Sequence, residues 1–151
     1  MSQSLSQLYV HLIFSTKSKS ILIKNDDKES LHSYMSGIFK NLSSPVIIIN
    51  SVPDQFHILF KLSKNHTLAK VVEETKKQTS KWLKTVSSSY MKFSWQNGYA
   101  AYSVSSSKLE AVKNYIKNQE EHHRKVSYKE EVERFMKEYG VIEYDAGYFW
   151  K

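Results

Sequence analysis

Two short segments of this chain combine residue types that could act on a phosphodiester, Gln55-Phe56-His57 and Tyr115-Ile116-Lys117-Asn118-Gln119. Gln55 and His57 flank an apolar residue in a segment that reads as a strand, where alternate side chains point to one face. Tyr115 and Gln119 are four apart in a segment that reads as a helix, so they too share a face. Together they offer one phenol and three possible metal ligands. Such a set would suit cutting and rejoining a nucleic-acid backbone through a covalent tyrosine link.

Each of these residues also has an ordinary reading. A lone strand histidine is commonly a part-buried, hydrogen-bonded polar residue. A glutamine carbonyl is a weak, hard-oxygen ligand. Tyr115 lies near Val112 and Ile116 and is one of ten tyrosines, so it fits the edge of a core with a wet hydroxyl. Gln119 taken alone reads as surface. His11, His32 and His66 have no partners at ligand spacing. No Ser-His-Asp, Walker or GxGxxG pattern is present, and four glycines leave little material for a phosphate-cradling loop. The residues alone therefore point to nucleic-acid binding more strongly than to catalysis.

Charge agrees with that direction. The formal net charge is +7 and the pI about 9.4, with lysine carrying the excess because Arg124 and Arg134 are the only arginines. A basic domain favours a polyanionic partner, most simply nucleic acid, although solubility alone is the plainer explanation. With no cysteine, disulfides and Cys-based zinc sites are excluded, which fits a reducing cytosol. Met1-Ser2-Gln3-Ser4 has no basic n-region, and the apolar runs are too short to span a bilayer, so a cytoplasmic location with no membrane partner is expected.

A length of 151 residues predicts one domain, 1–151. Leu8–Phe14 reads as a buried strand. A basic, serine-rich loop with Lys17, Lys19 and Lys24 follows it. A helix capped at Asn25 or Asp26 runs to about Asn41. Val46–Asn50 and Gln55–Leu62 read as strands joined by Ser51-Val52-Pro53-Asp54 turn chemistry. In the latter strand Gln55, His57, Leu59 and Lys61 share a mixed face, expected to be partly open. Phe56, Ile58, Phe60 and Leu62 share an apolar face, expected to pack on helices. Thr67 caps a helix to about Val86 whose apolar stripe keeps the helical period, with Lys70, Lys76, Lys77, Lys81 and Lys84 mostly off it. Tyr99–Val104 alternates as a fourth strand. One helix is expected from the 105–107 serines to about Arg124, and a last one from Ser127 to Tyr139, stopped by Gly140. The order βαββαβ with added C-terminal helices predicts an α+β, ferredoxin-like antiparallel sheet with two helices on one face.

Several runs, in order along nearly the whole chain, resemble one family. They are Leu8 to Lys17, Asp54 to Phe60, Ser80 to Leu83, Phe93 to Tyr99, Tyr115 to His123, and the ending from Tyr144 to Trp150. The chain resembles the single-tyrosine HUH transposases of bacterial insertion sequences, the insertion sequence 200/605 group. These move elements as single-stranded DNA. Asp54 to Phe60 falls at the position of their His-hydrophobic-His motif.

The resemblance implies that Tyr115 is the nucleophile. It would leave a 5′-phosphotyrosine and a free 3′-hydroxyl, and a second attack would rejoin strands. It implies a divalent cation, Mg²⁺ or Mn²⁺, on Gln55, His57 and Gln119. It also implies a bacterial cytoplasmic homodimer whose active sites are shared between subunits, acting on single-stranded DNA with hairpins at the element ends. Lys17, Lys19, Lys77 and Lys81 are the candidates for contacts to the DNA backbone. The proton acceptor for Tyr115 is not identified.

One position departs from the family. Its motif has histidine at both ends, and this chain has Gln55 at the first. The site would then hold a hard cation less tightly, or the protein would be a decayed or repurposed copy that binds hairpin DNA without cutting it. A third reading, a ferredoxin-like RNA-binding module, requires Phe56 and Phe60 exposed for base stacking.

Overall fold

A computed structural model describes residues 3–17, 21–123 and 127–140. Lys19 and the aromatic tail, 141–151, lie outside the described residues. The elements are β1 (Leu8–Ser15), α1 (Asn25–Asn41), β2 (Val46–Val52), β3 (Gln55–Leu62), α2 (Leu68–Val86), β4 (Ala100–Val104), α3 (Leu109–Lys117), α4 (Gln119–His123) and α5 (Tyr128–Glu138). The strands form one sheet in the order β2-β3-β1-β4 with every pair antiparallel, the ferredoxin-like arrangement expected from the element order.

The apolar faces of β1 and β3 pack on α1 and α2. Leu12, Phe14, Phe56, Ile58 and Phe60 meet Leu31, Met35, Phe39, Val71, Val72 and Leu83 in one core. Phe56 and Phe60 are fully buried there, so the base-stacking reading loses its two rings. Trp95 closes this core edge-on to Phe14, Phe56 and Phe93, at centroid distances of 4.9, 5.3 and 4.9 Å. Its indole N–H donates to Thr79 Oγ1 at 3.0 Å. Thr79 and Thr75 can be buried on α2 because each hydroxyl also donates to the carbonyl four residues back, at 2.6 and 2.8 Å. Thr67 caps α2 by accepting from the Lys70 N–H at 3.1 Å, as its position predicts.

The opposite face of the sheet is not partly open. His11, Gln55 and His57 are buried on it beneath the C-terminal helices. α3 covers part of it through Ile116, which packs in one cluster with Leu59 of β3 and Val104 of β4. α5 covers the centre through Val132, Phe135 and Met136 against Ile13, Ala100 and Tyr102. Ser127 caps α5 by accepting from the Glu130 N–H at 3.2 Å, and Gly140 ends it at φ 68°, a left-handed conformation that suits glycine.

Candidate active site

β1 and β3 run antiparallel with Ile13 opposite His57 and His11 opposite Leu59. That register sets His11 diagonally beside His57 on the same face, with His11 Nε2 2.9 Å from His57 Nδ1. The other nitrogen, His57 Nε2, lies 2.9 Å from Glu131 Oε1 of α5. One donor order satisfies this chain: His57 Nε2–H donates to the carboxylate, and His11 Nε2–H donates to His57 Nδ1. His11 is almost wholly buried, and burial first and the neighbouring His57 second hold its pKa well below the ordinary histidine value. His11 is therefore a neutral prop for His57.

The tyrosine reaches the same cluster within one chain. The Tyr115 ring centroid lies 6.1 Å from that of His57 and 6.5 Å from that of His11, with Phe135 edge-on at 5.3 Å. Its hydroxyl donates a short hydrogen bond to Glu131 Oε2 and accepts one from Arg134 Nη2 at 3.3 Å. Glu131 thus bridges the imidazole and the phenol with its two oxygens. Burial raises the Tyr115 pKa well above the ordinary phenol value, and the bond to Glu131 adds to the rise. The phenol rests protonated, half-buried, with its solvent edge beside the exposed Arg134.

Gln119 is brought to the same place by a break in the helix. The single helix expected from about residue 105 to Arg124 ends at Lys117, and a short turn through Asn118 begins α4 at Gln119. The physical cause is Asn50 of β2. Its Nδ2 donates to the carbonyls of Ile116 at 2.9 Å and Lys117 at 3.2 Å, replacing the partners that a continuing helix would supply. Gln119 is fully buried rather than on the surface, and its Nε2–H donates to the backbone carbonyl of Gln55 at 3.4 Å. Gln119 Oε1 has no hydrogen-bond partner among the described residues.

Of the expected site residues, Gln55, His57, Tyr115 and Gln119 lie together on this buried face. Lys17, Lys77 and Lys81 lie apart from it, and all three are exposed. Lys77 lines a groove of about 440 Å³ formed with Lys76, Trp95, Asn97 and Tyr99. Three residues of the cluster were not expected: His11, Glu131 and Arg134. His11 shares the alternation of β1 with Ile13 and Ser15, but its register against His57 is not written in the sequence. Glu131 and Arg134 are three apart on α5, so they share a face, yet nothing local marks them from the other charges of that helix.

As a cation site, these donors divide unevenly. Among the described residues no three His, Asp or Glu side chains converge to hold an ion. One carboxylate and amide oxygens, hard donors of the kind that Mg²⁺ or Mn²⁺ accepts, are present beside one borderline imidazole nitrogen. The unpartnered Gln119 Oε1 is the observation that favours such an ion.

No curated protein matches the sequence significantly. The fold is similar to that of a candidate transposase from Deinococcus radiodurans R1, with a TM-score of 0.61 and 19% identity over 79% of this chain and 98% of that one. It is also similar to a REP-associated tyrosine transposase bound to a REP hairpin, with a TM-score of 0.63 and 13% identity over 83% of this chain and 76% of that one. The profile of the family described as transposase, IS200 like, matches residues 4–119, which contain the four strands, Tyr115 and Gln119. The chain belongs to the IS200-like transposase family.

Proposed function

We propose that this protein cuts and rejoins single-stranded DNA at insertion-sequence ends, with Tyr115 as the nucleophile. The observation that carries the reading is the Tyr115 phenol lying in one cluster with His57, ring centroids 6.1 Å apart. The Tyr115 oxygen attacks the phosphorus, the bond to the 3′ oxygen breaks, and the DNA is left as a 5′-phosphotyrosine with a free 3′-hydroxyl. Attack by a 3′-hydroxyl on that phosphotyrosine rejoins a strand and restores the phenol.

His57, Gln119 and Gln55 are the residues that would hold Mg²⁺ or Mn²⁺. When bound, such an ion polarises a phosphate and offsets its developing charge. His11 holds the His57 ring in place. Arg134, donating to the Tyr115 oxygen, stabilises negative charge there as the proton leaves. Lys17, Lys19, Lys77 and Lys81 would contact backbone phosphates and position the strand. Hairpins at the element ends are the expected substrate feature, consistent with the REP hairpin bound by the similar tyrosine transposase. A homodimer that shares its tyrosines would have to exchange the α3 segment between subunits, since the phenol already meets His57 within one chain.

The test is incubation with Mn²⁺ and a labelled single strand carrying an element end, read on a denaturing gel. A covalent adduct that is lost in Tyr115→Phe is expected. Hairpin binding without any adduct, unchanged by EDTA and by Tyr115→Phe, would instead favour the binding-only alternative that Gln55 raises. Cleavage gained in Gln55→His would then mark a decayed enzyme.

A further inference from the structure

We propose that Glu131 of α5 is a ligand of the divalent cation and supplies the strong donor that Gln55 does not. The inference rests on the proposed cation-assisted reading. Without Glu131 the donor set is one imidazole and two glutamine amides, one imidazole fewer than the family motif supplies, and an amide oxygen is the weaker donor. With Glu131 it gains a carboxylate.

The geometry fits. Two donors at right angles on an octahedral ion with bonds of about 2.1 Å lie roughly 3.0 Å apart. His57 Nε2 and Glu131 Oε1 are separated by 2.9 Å. With a cation bound, the His57 tautomer would reverse: Nδ1–H would donate to His11 Nε2, leaving the Nε2 lone pair on the Glu131 side, as ligating histidines commonly donate their other ring N–H. Glu131 is 1% exposed, and burying a carboxylate is costly unless a cation or strong donors compensate it. The His57 imidazole and the Tyr115 phenol are among the groups that meet its two oxygens. Gln119 Oε1, buried and without a partner among the described residues, is a second oxygen with unused capacity beside the strand that carries His57. The same carboxylate touches the Tyr115 hydroxyl, so a cation on Glu131 would sit within one side chain of the nucleophile.

The experiment is titration of the full chain with Mn²⁺ alone, followed by calorimetry and by loss of the free Mn²⁺ electron-resonance signal. One site is expected. Glu131→Gln, similar in size but uncharged, should weaken binding by at least about tenfold. Should Glu131→Gln fail to fold by circular dichroism, Glu131→Asp carries the test, and severalfold weaker binding is expected from the shortened reach. Equal or tighter Mn²⁺ binding in the folded variant overturns the proposal, because the carboxylate then only occupies the place a cation would take. No Mn²⁺ binding by the wild-type chain overturns it as well. The adduct assay separates the two readings. An adduct with unchanged Mn²⁺ affinity in Glu131→Gln removes Glu131 alone, whereas a tenfold affinity loss with no adduct in the wild type leaves Glu131 a ligand and removes the strand-transfer reading.

Discussion

His11 Nε2 lies 2.9 Å from His57 Nδ1, so the imidazole on β3 is held from the side opposite Glu131. Two histidines 46 residues apart thereby become one unit, and orientation of the proposed cation ligand depends on a residue outside the His-hydrophobic-His position.

Removing this prop should cost stability as well as order. His11→Ala leaves the buried His57 Nδ1 without its partner and opens a hole beside Phe135, at a cost of about 2–3 kcal/mol. Urea unfolding measures it. A change below about 0.5 kcal/mol would show that His57 finds another partner.

Asn50 predicts a separate effect on the helix break. Asn50→Ala deprives the Ile116 and Lys117 carbonyls of their donor, at about 0.5–1.5 kcal/mol. Amide exchange of residues 117–121 should quicken more than that of α1. Unchanged exchange would mean that the break at Asn118 has another cause.

A pH effect is expected on the other face of the sheet, at His32, whose ring packs edge-on to Phe56. Burial, with Lys28 contributing, lowers the His32 pKa to about 4, and Ser51 Oγ holds the ring at 2.7 Å. Between pH 6.5 and about 4 the unfolded chain binds a proton here that the folded chain does not. Stability contributed by the neutral ring is present above that window and falls as the pH drops through it. Tm should therefore fall less from pH 7 to 5 in His32→Gln than in the wild type. Equal slopes would remove His32 as the cause.

DNA binding should weaken in a way that reports phosphate contacts. Lys77→Gln combined with Lys81→Gln should lower single-strand affinity for all sequences alike. Each phosphate contact removed should shrink the slope of log affinity against log salt by about 0.7. Fluorescence anisotropy at several salt concentrations gives the slope. An unchanged slope would make these lysines a solvated helix face.

Local pattern determined most of the framework. Alternation in Gln55–Leu62, the period of the 68–86 stripe, the caps at Thr67 and Ser127 and the stop at Gly140 depend on neighbours in the chain, and these elements stand where the pattern predicts. The types and spacing at Gln55, His57, Tyr115 and Gln119 mark a candidate site in the sequence, and the family resemblance rather than local pattern gives each a role. Burial of the mixed face, the pairing of His11 with His57, the helix break that Asn50 induces and the place of Glu131 depend on register and docking. Those contacts join residues between 16 and 74 positions apart, and no periodicity encodes which charge of a helix meets which strand. Hydrophobic packing of Val132, Phe135 and Met136 on Ile13 and Tyr102 brings α5 down over β1 and β4, and that docking carries Glu131 to His57 and Tyr115.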